Sequence, residues 1–362
     1  MDYIEKFKDF VNNIKVSDNI AIFYHSMCTD GLCSCIITSK AINKIKNFKV
    51  KFHYEYKFYE VNDSCIEFVK NNNIKKCIFV DLSLDAKIDK LKKLEKYSEV
   101  LVIDHHKFSV DFNSNKTLFI HSEFINKDLD GSKYPASKLC YDLFSKMINV
   151  VEFDWLSAVG LVSDMGYKSW AYFVIDVQNK YHLNKDDDPY RTEIGKTAAL
   201  IKLSKETDED IDITFDIVYN SNSIFDVLNN KVLLDYKKKS EEELNIWINK
   251  RNNVEVHGDL VIYEISPRYK INSTLSTILS FQYFPNKTVI LIVSNDDKDI
   301  IEINARDQRG IIKLNEFLRD LVQDLPNSTA GGHIPAAGAR IRKEDLKIFK
   351  KRLIEKYNDI KK

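Results

Sequence analysis

The stretch Val100-Leu101-Val102-Ile103-Asp104-His105-His106 sets four apolar residues directly against an acid and two imidazoles. A short apolar run of this kind reads as a buried strand, and the polar residues fall at its carboxyl end. Upstream, Cys77-Ile78-Phe79-Val80 has the same form and ends at Asp81. Between the two runs, residues 86–97 are amphipathic and rich in lysine, as in a helix. Further upstream, Ile20-Ala21-Ile22-Phe23-Tyr24 leads into a Cys28-Thr29-Asp30-Gly31 turn, after which 32–45 reads as helical. Residues 50–58 alternate and are rich in aromatics, like a strand. Buried strands alternating with ten- to fifteen-residue helices predict βαβ units and a parallel sheet.

Downstream the pattern changes twice. Residues 136–170 read as largely helical. From about 190 to 252 the chain becomes more polar, and Lys237-Lys238-Lys239 with Glu241, Glu242 and Glu243 marks a solvated helical connector. Strand-like runs at 260–264, 289–293 and 300–305 then alternate with helical stretches near 273–280, 311–322 and 344–356. The predicted architecture is α/β: a parallel-sheet domain over 1–190, a helical connector over 191–252, and a smaller α/β domain over 253–362.

The chain has 362 residues, 44% of them hydrophobic, which is ample for two packed cores. Its 54 Lys and Arg balance 54 Asp and Glu. Zero net charge argues against coating long duplex nucleic acid, which requires many cationic phosphate contacts. A short anionic substrate in a local pocket stays compatible with it. No apolar run reaches the ~18 residues of a membrane span, and the first fifteen residues predict no signal peptide. The six cysteines (28, 33, 35, 65, 77 and 140) show no CxxC pair or zinc-finger spacing. They read as reduced thiols of a cytoplasmic protein. The basic tail from Arg340 onward reads as a solvated helix face rather than a nucleic-acid track.

Asp30, Asp81 and Asp104 share one setting. In a parallel α/β sheet the carboxyl ends of the strands form the ligand crevice, so the three carboxylates are expected to converge there with His105 and His106. Such convergence is repulsive unless a cation sits among the groups. Hard carboxylates with imidazole suit Mn²⁺, Mg²⁺ or Fe²⁺. Any one of these acids could instead serve as a helix N-cap, but that role leaves the histidine pair without an account.

Phe79-Val80-Asp81-Leu82-Ser83, Asp104-His105-His106, Ala158-Val159-Gly160-Leu161-Val162-Ser163-Asp164, Asn304-Ala305-Arg306 and Ala330-Gly331-Gly332-His333 followed by Ala336-Ala337-Gly338 occur in this order. In that order the chain resembles, over nearly its full length, the DHH phosphoesterase superfamily with a C-terminal DHH-associated domain, in its RecJ-like exonuclease and nanoRNase branch. The resemblance implies two divalent ions in a cleft between the domains. Asp81 would bridge them, and Asp30, His105 and Asp164 would complete the better-defined site. Asp104 would orient His105, and His106 would face the phosphate. Four of the eight histidines (25, 105, 106 and 333) fall in such motifs, whereas His53, His121, His182 and His257 read as surface or packing residues.

The first motif, His25-Ser26-Met27-Cys28-Thr29-Asp30-Gly31, departs from the commonest pattern, because Cys28 stands where an Asp ligand is usual and His25 is offset by one position. Either His25 and Cys28 both ligate, or one ion is held firmly and the other arrives with substrate. Cys28 as a small packing residue is the plainer alternative. In the second domain, Gly331 and Gly332 would let backbone N–H groups approach an anion, with His333 as a further donor and Arg306 forking onto a phosphate. A simple loop and a surface strand arginine are the plain readings there.

The activity so implied is Mn²⁺-dependent hydrolysis of short single-stranded oligonucleotides from an end, with Mg²⁺ or Co²⁺ as alternative ions. The alternatives are a smaller phosphate compound (a cyclic dinucleotide, phosphoadenosine phosphate or polyphosphate) and a catalytically weakened scaffold of the same fold. No membrane partner is expected, and a homodimer stays open.

Overall fold

Every position of 20–24, 77–80 and 100–103 is apolar, which leaves these segments no face for water. In the computed structural model, which describes residues 2–25, 28–56, 61–207, 213–294 and 299–360, they lie inside a parallel sheet. The chain divides into two units, 1–234 and 235–362.

The first unit begins with helix α1 (Tyr3–Asn12) and then alternates as β1 (Asn19–His25), α2 (Thr29–Lys46), β2 (Phe52–Tyr56), α3 (Asp63–Asn71), β3 (Ile74–Val80), α4 (Ile88–Leu94), β4 (Glu99–Asp104) and β5 (Thr117–His121). The strand order is β2-β1-β3-β4-β5, all parallel. Side chains alternate between two cores, as a period of two requires. Ile20, Ile22, Ile78, Val80, Leu101 and Ile103 pack on one face. Ala21, Phe23, Phe79, Val100, Val102 and Phe119 pack on the other, against Val69 of α3 and Leu91 of α4. Of the strand expected over 50–58, residues 52–56 are extended, and 57–60 lie outside the described residues.

Helices follow: α5 (Ser122–Ile125), α6 (Ala136–Ser145), α7 (Asp154–Ser163), α8 (Ala171–Lys180), α9 (Glu193–Thr207), α10 (Ile213–Asn220), α11 (Ile224–Leu228) and α12 (Lys231–Asn249). The segment read as a connector over 191–252 behaves differently along its length. Ile194, Ile201, Phe215, Val218, Ile224 and Val227 are buried in the same core as β1 and α2. The unit boundary therefore falls at Leu234/Asp235, within α12, and only the lysine-rich part of that segment lies beyond it.

The second unit holds β6 (Glu255–His257), β7 (Leu260–Ile265), α13 (Asn272–Ile278), β8 (Thr288–Ser294), β9 (Ile300–Arg306), α14 (Leu314–Val322), β10 (Thr329–His333), β11 (Ala336–Arg342) and α15 (Leu346–Ile360). Its mixed sheet runs β10-β11-β9-β8-β7-β6, with β7 and β8 parallel and the other pairs antiparallel. Ile301, Ile303 and Ala305 alternate inward against Leu318 of α14 and Phe349 of α15. The glycine pair lies in a strand rather than in the simple loop that was its plain alternative: Gly331 pairs with Gly338, and Gly332 with Ala337. Gly332 sits at φ 126°, where a β-carbon would lie 2.6 Å from the Ala336 carbonyl oxygen, so only glycine fits.

No helix among the described residues is long and apolar enough to cross a membrane.

Candidate metal centre

Because β1, β3 and β4 are adjacent and parallel, their carboxyl ends open on one edge of the sheet. His25 ends β1, Asp104 ends β4, and Asp81 follows β3 directly. Asp81 has φ 59°, a left-handed conformation that Asp tolerates better than most residues. Its N–H donates to the Ile103 carbonyl at 3.0 Å, which ties the turn to β4. Asp30 enters from the first turn of α2, and Asp164 from the C-cap of α7.

His105 lies at the centre of the cluster. Its Nε2 is 3.2 Å from Asp81 Oδ1 and 3.4 Å from Asp164 Oδ2. Its Nδ1 is 3.3 Å from the Gly131 carbonyl, which can only accept, so Nδ1 carries the hydrogen and Nε2 faces the acids. The expectation that Asp104 orients His105 is therefore corrected: Gly131 does so. Asp104 instead accepts from His106 Nδ1 at 2.7 Å. Gly131 packs so closely that a β-carbon there would sit 2.8 Å from the His105 carbonyl oxygen. His121, read from the sequence as a surface or packing residue, is buried; its Nε2–H donates to the His106 carbonyl at 2.9 Å, and it pairs in register with Asp104.

Three sets of candidate ligand atoms each lie within 4.8 Å of one another: His25, Cys28 and Asp81; Asp81, His105 and His106; and Asp30, His105 and Asp164. Asp81 and His105 each belong to two sets. Ser26 and Met27 of the same motif lie outside the described residues. Gly31 makes room for the first set, since a β-carbon there would stand 2.8 Å from the His25 carbonyl oxygen and 3.0 Å from Asp81 Oδ2.

The electrostatics show what this donor set lacks. Burial, then the charges of Asp81 and Asp164, pushes the Asp30 carboxyl up to about 7. Desolvation, then Asp81, raises Asp164 as well once His105 has been counted against it. Burial also works to raise Asp81, but the His105 and His25 rings beside it outweigh that and hold this carboxyl far below its usual range. Burial opposes charge on both central histidines. The Asp81 and Asp164 carboxylates nevertheless take His105 well above its ordinary value, and Asp104 takes His106 up to about 9. Desolvation, then Asp81, raises the Cys28 thiol well above its ordinary value. The acids thus repel one another and draw positive charge onto the imidazoles. Among the described residues, Asp81 Oδ2 and Asp104 Oδ2 are buried with no hydrogen-bond partner. A divalent cation would answer the repulsion among the acids and the unpartnered Asp81 oxygen, so the residues present fit one.

In the second unit, Arg306 and His333 lie on one line across three strands, both in register with Ala336 of β11. Arg306 donates from Nη2 to Ser273 Oγ at 3.3 Å, and its buried Nε has no partner among the described residues. Burial lowers its pKa. The side chain of His333 lies outside the described residues.

Sequence reasoning missed Gly131, Ala136 and Ser137, the last two of which hold Asp30. None of the three belongs to a motif quoted above, and each acts through a backbone group or at a spacing of more than twenty residues.

Residues 19–165 match the model of the DHH family N-terminal domain, and residues 271–359 that of the DHHA1 domain. No curated protein matches the chain significantly. Among solved structures, RecJ of Thermus thermophilus in complex with Mn²⁺ superposes with a TM-score of 0.72 at 13% identity, over 98% of this chain and 54% of that one. An exonuclease RecJ bound to manganese gives 0.67 at 13% identity, over 98% and 94%. An exopolyphosphatase-related protein from Bacteroides fragilis gives 0.58 at 16% identity, over 99% and 98%. These likenesses show a shared fold.

Proposed function

The chain belongs to the DHH family and carries a DHHA1 domain, and we propose that it is a divalent-metal-dependent phosphodiesterase that degrades short single-stranded oligonucleotides from an end. The observation that carries this reading is the set of three overlapping donor groups at the sheet edge, joined through Asp81 and His105. The manganese in both RecJ complexes supports Mn²⁺ as the ion, with Mg²⁺ or Co²⁺ as substitutes. Asp81 would serve both ion positions; Asp30, His105 and Asp164 would complete one of them, and His25 and Cys28 would stand at the other. When bound, such ions activate water for in-line attack and neutralise charge on the leaving oxygen.

The chain's own residues do the rest. Gly131 fixes the His105 ring, a support of the kind that ligating imidazoles require. Asp104 accepts from His106 Nδ1 and so orients that ring, which would face the substrate phosphate. Arg306, whose buried Nε has no partner among the described residues, grips substrate phosphate together with the backbone of Gly331 and Gly332 and with His333.

Hydrolysis of a smaller phosphate compound is the second reading, favoured by the full-length likeness to the exopolyphosphatase-related protein. Retention of Asp30, Asp81, His105 and Asp164 weighs against a catalytically weakened scaffold. The test is a Mn²⁺-supplemented panel of labelled dinucleotides, longer single strands, cyclic dinucleotides and polyphosphate, run with wild type and Asp81→Asn. Turnover of short oligonucleotides that falls at least a thousandfold in Asp81→Asn, together with loss of bound metal, is expected. Preference for polyphosphate or cyclic dinucleotides selects the second reading. Unchanged turnover and metal content in Asp81→Asn refutes the site.

A further inference from the structure

Asp30 is the candidate ligand with the least freedom. It is 0% exposed, and the hydrogen-bond donors to its carboxylate among the described residues come from the first two residues of α6. Oδ1 accepts from the Ser137 N–H at 3.1 Å and also from the Ser137 hydroxyl, while Oδ2 accepts from the Ala136 N–H at 2.8 Å. An ionised carboxylate offers about four lone-pair sites, two on each oxygen. Oδ1 is therefore filled, and Oδ2 retains one site. Gly160 of α7 closes the other side: a β-carbon there would lie 2.7 Å from Asp30 Oδ1 and would collide with Ser137 Oγ. Asp30 belongs to α2, so three helices determine how one carboxylate points.

We infer that Ser137 is a positioning residue for the metal centre: it locks Oδ1 of Asp30 so that the remaining lone pair of Oδ2 is the one presented to an ion, and Asp30 ligates through a single oxygen. This rests on the reading of Asp30 as a ligand. Removing the hydroxyl has two opposed effects. The carboxylate keeps more of its charge, which favours a cation, and it gains freedom to turn. Loss of outer partners typically costs a metal site ten- to a hundredfold in affinity, so orientation outweighs charge. The two backbone N–H groups remain in such a variant, which places the effect at the lower end.

The test is calorimetric titration of Mn²⁺ into wild type, Ser137→Ala, Asp30→Asn and the double variant. Ser137→Ala is expected to weaken one ion roughly tenfold. The same change in the Asp30→Asn background should add no further loss, because the pair acts as a unit. Ser137→Cys keeps the volume but donates weakly, and should fall between wild type and Ser137→Ala. Wild-type affinity in Ser137→Ala overturns the inference. An equal loss with Asp30 already replaced also overturns it, since it would mark a merely structural role. If Asp30→Asn binds Mn²⁺ as wild type does, the assignment of Asp30 as a ligand fails as well. If Ser137→Ala loses affinity only together with Asp30, the inference stands.

Discussion

Cys28 is the residue at which this chain leaves the common pattern of its family. Its sulfur lies within 4.8 Å of candidate ligand atoms on His25 and Asp81, so it occupies a ligand position by distance, although its chemistry differs. Thiolate favours Zn²⁺ and other softer ions, whereas Mn²⁺ and Mg²⁺ prefer carboxylate. With Cys28 in place, wild type in Mn²⁺ is expected to hold clearly fewer than two ions per chain without substrate. Cys28→Asp supplies a hard anionic ligand at the same point. It should raise the stoichiometry and lower the Mn²⁺ concentration for half-maximal activity, roughly tenfold by the scale of ligand effects. Elemental analysis and a Mn²⁺ titration of activity measure this. Two ions in wild type with no gain in Cys28→Asp would make Cys28 a packing residue.

At the scale of elements, β2 is an edge strand, and His53 is one of its attachments to the neighbouring helices. His53 of β2 shares a 2.8 Å hydrogen bond with Ser39 of α2, and its ring lies 5.0 Å from Phe215 and 5.4 Å from Tyr219 of α10. Burial, then Lys49, lowers its pKa to about 4 from an ordinary value near 6.5. The folded state thus prefers the neutral ring. Above about pH 6.5 the ring is neutral in both states, and its contribution to stability is complete. As the pH falls from 6.5 to 4, the unfolded chain takes up a proton that the folded chain refuses, and stability drops by up to about 3 kcal/mol, at 1.36 kcal/mol per pKa unit. Urea unfolding from pH 7 to pH 4 should show this slope, and His53→Gln should be flatter by about that amount. Equal slopes would mean that His53 titrates freely in the fold.

At the scale of the molecule, the two units carry different kinds of chemistry. The first gathers acids and imidazoles; the second offers an arginine whose buried Nε has no partner among the described residues, and a strand of small residues. Arg306→Ala is therefore expected to weaken substrate binding, raising KM about tenfold or more, consistent with the loss of a charge-assisted hydrogen bond of ~1.5–3 kcal/mol. Bound metal should not change. A positioned clamp can also lower kcat where its contact strengthens in the transition state, so metal content decides the role. Loss of Mn²⁺ from Arg306→Ala would place this residue in the metal centre instead.

Much of this was legible from the chain alone. Apolar runs ending in acids can be read locally, because the middle of a strand buried on both faces is built mainly of apolar residues. That rule placed β1, β3 and β4 and marked Asp81 and Asp104. Motif order marked Asp30, His105 and Asp164 as candidate ligands as well. Tertiary structure decided the partners. Whether Asp104 reaches His105 or His106 depends on ring orientation, which the distant Gly131 carbonyl fixes. The hold of Ser137 on Asp30 depends on α6 meeting α2 across 107 residues of chain. The extended conformation of Gly331 and Gly332 depends on β11 pairing, since glycine itself has little preference for strand over loop. Sequence determines which groups arrive at the sheet edge, because burial acts residue by residue. Only packing determines which of them touch, because a hydrogen bond depends on where two distant segments come to rest.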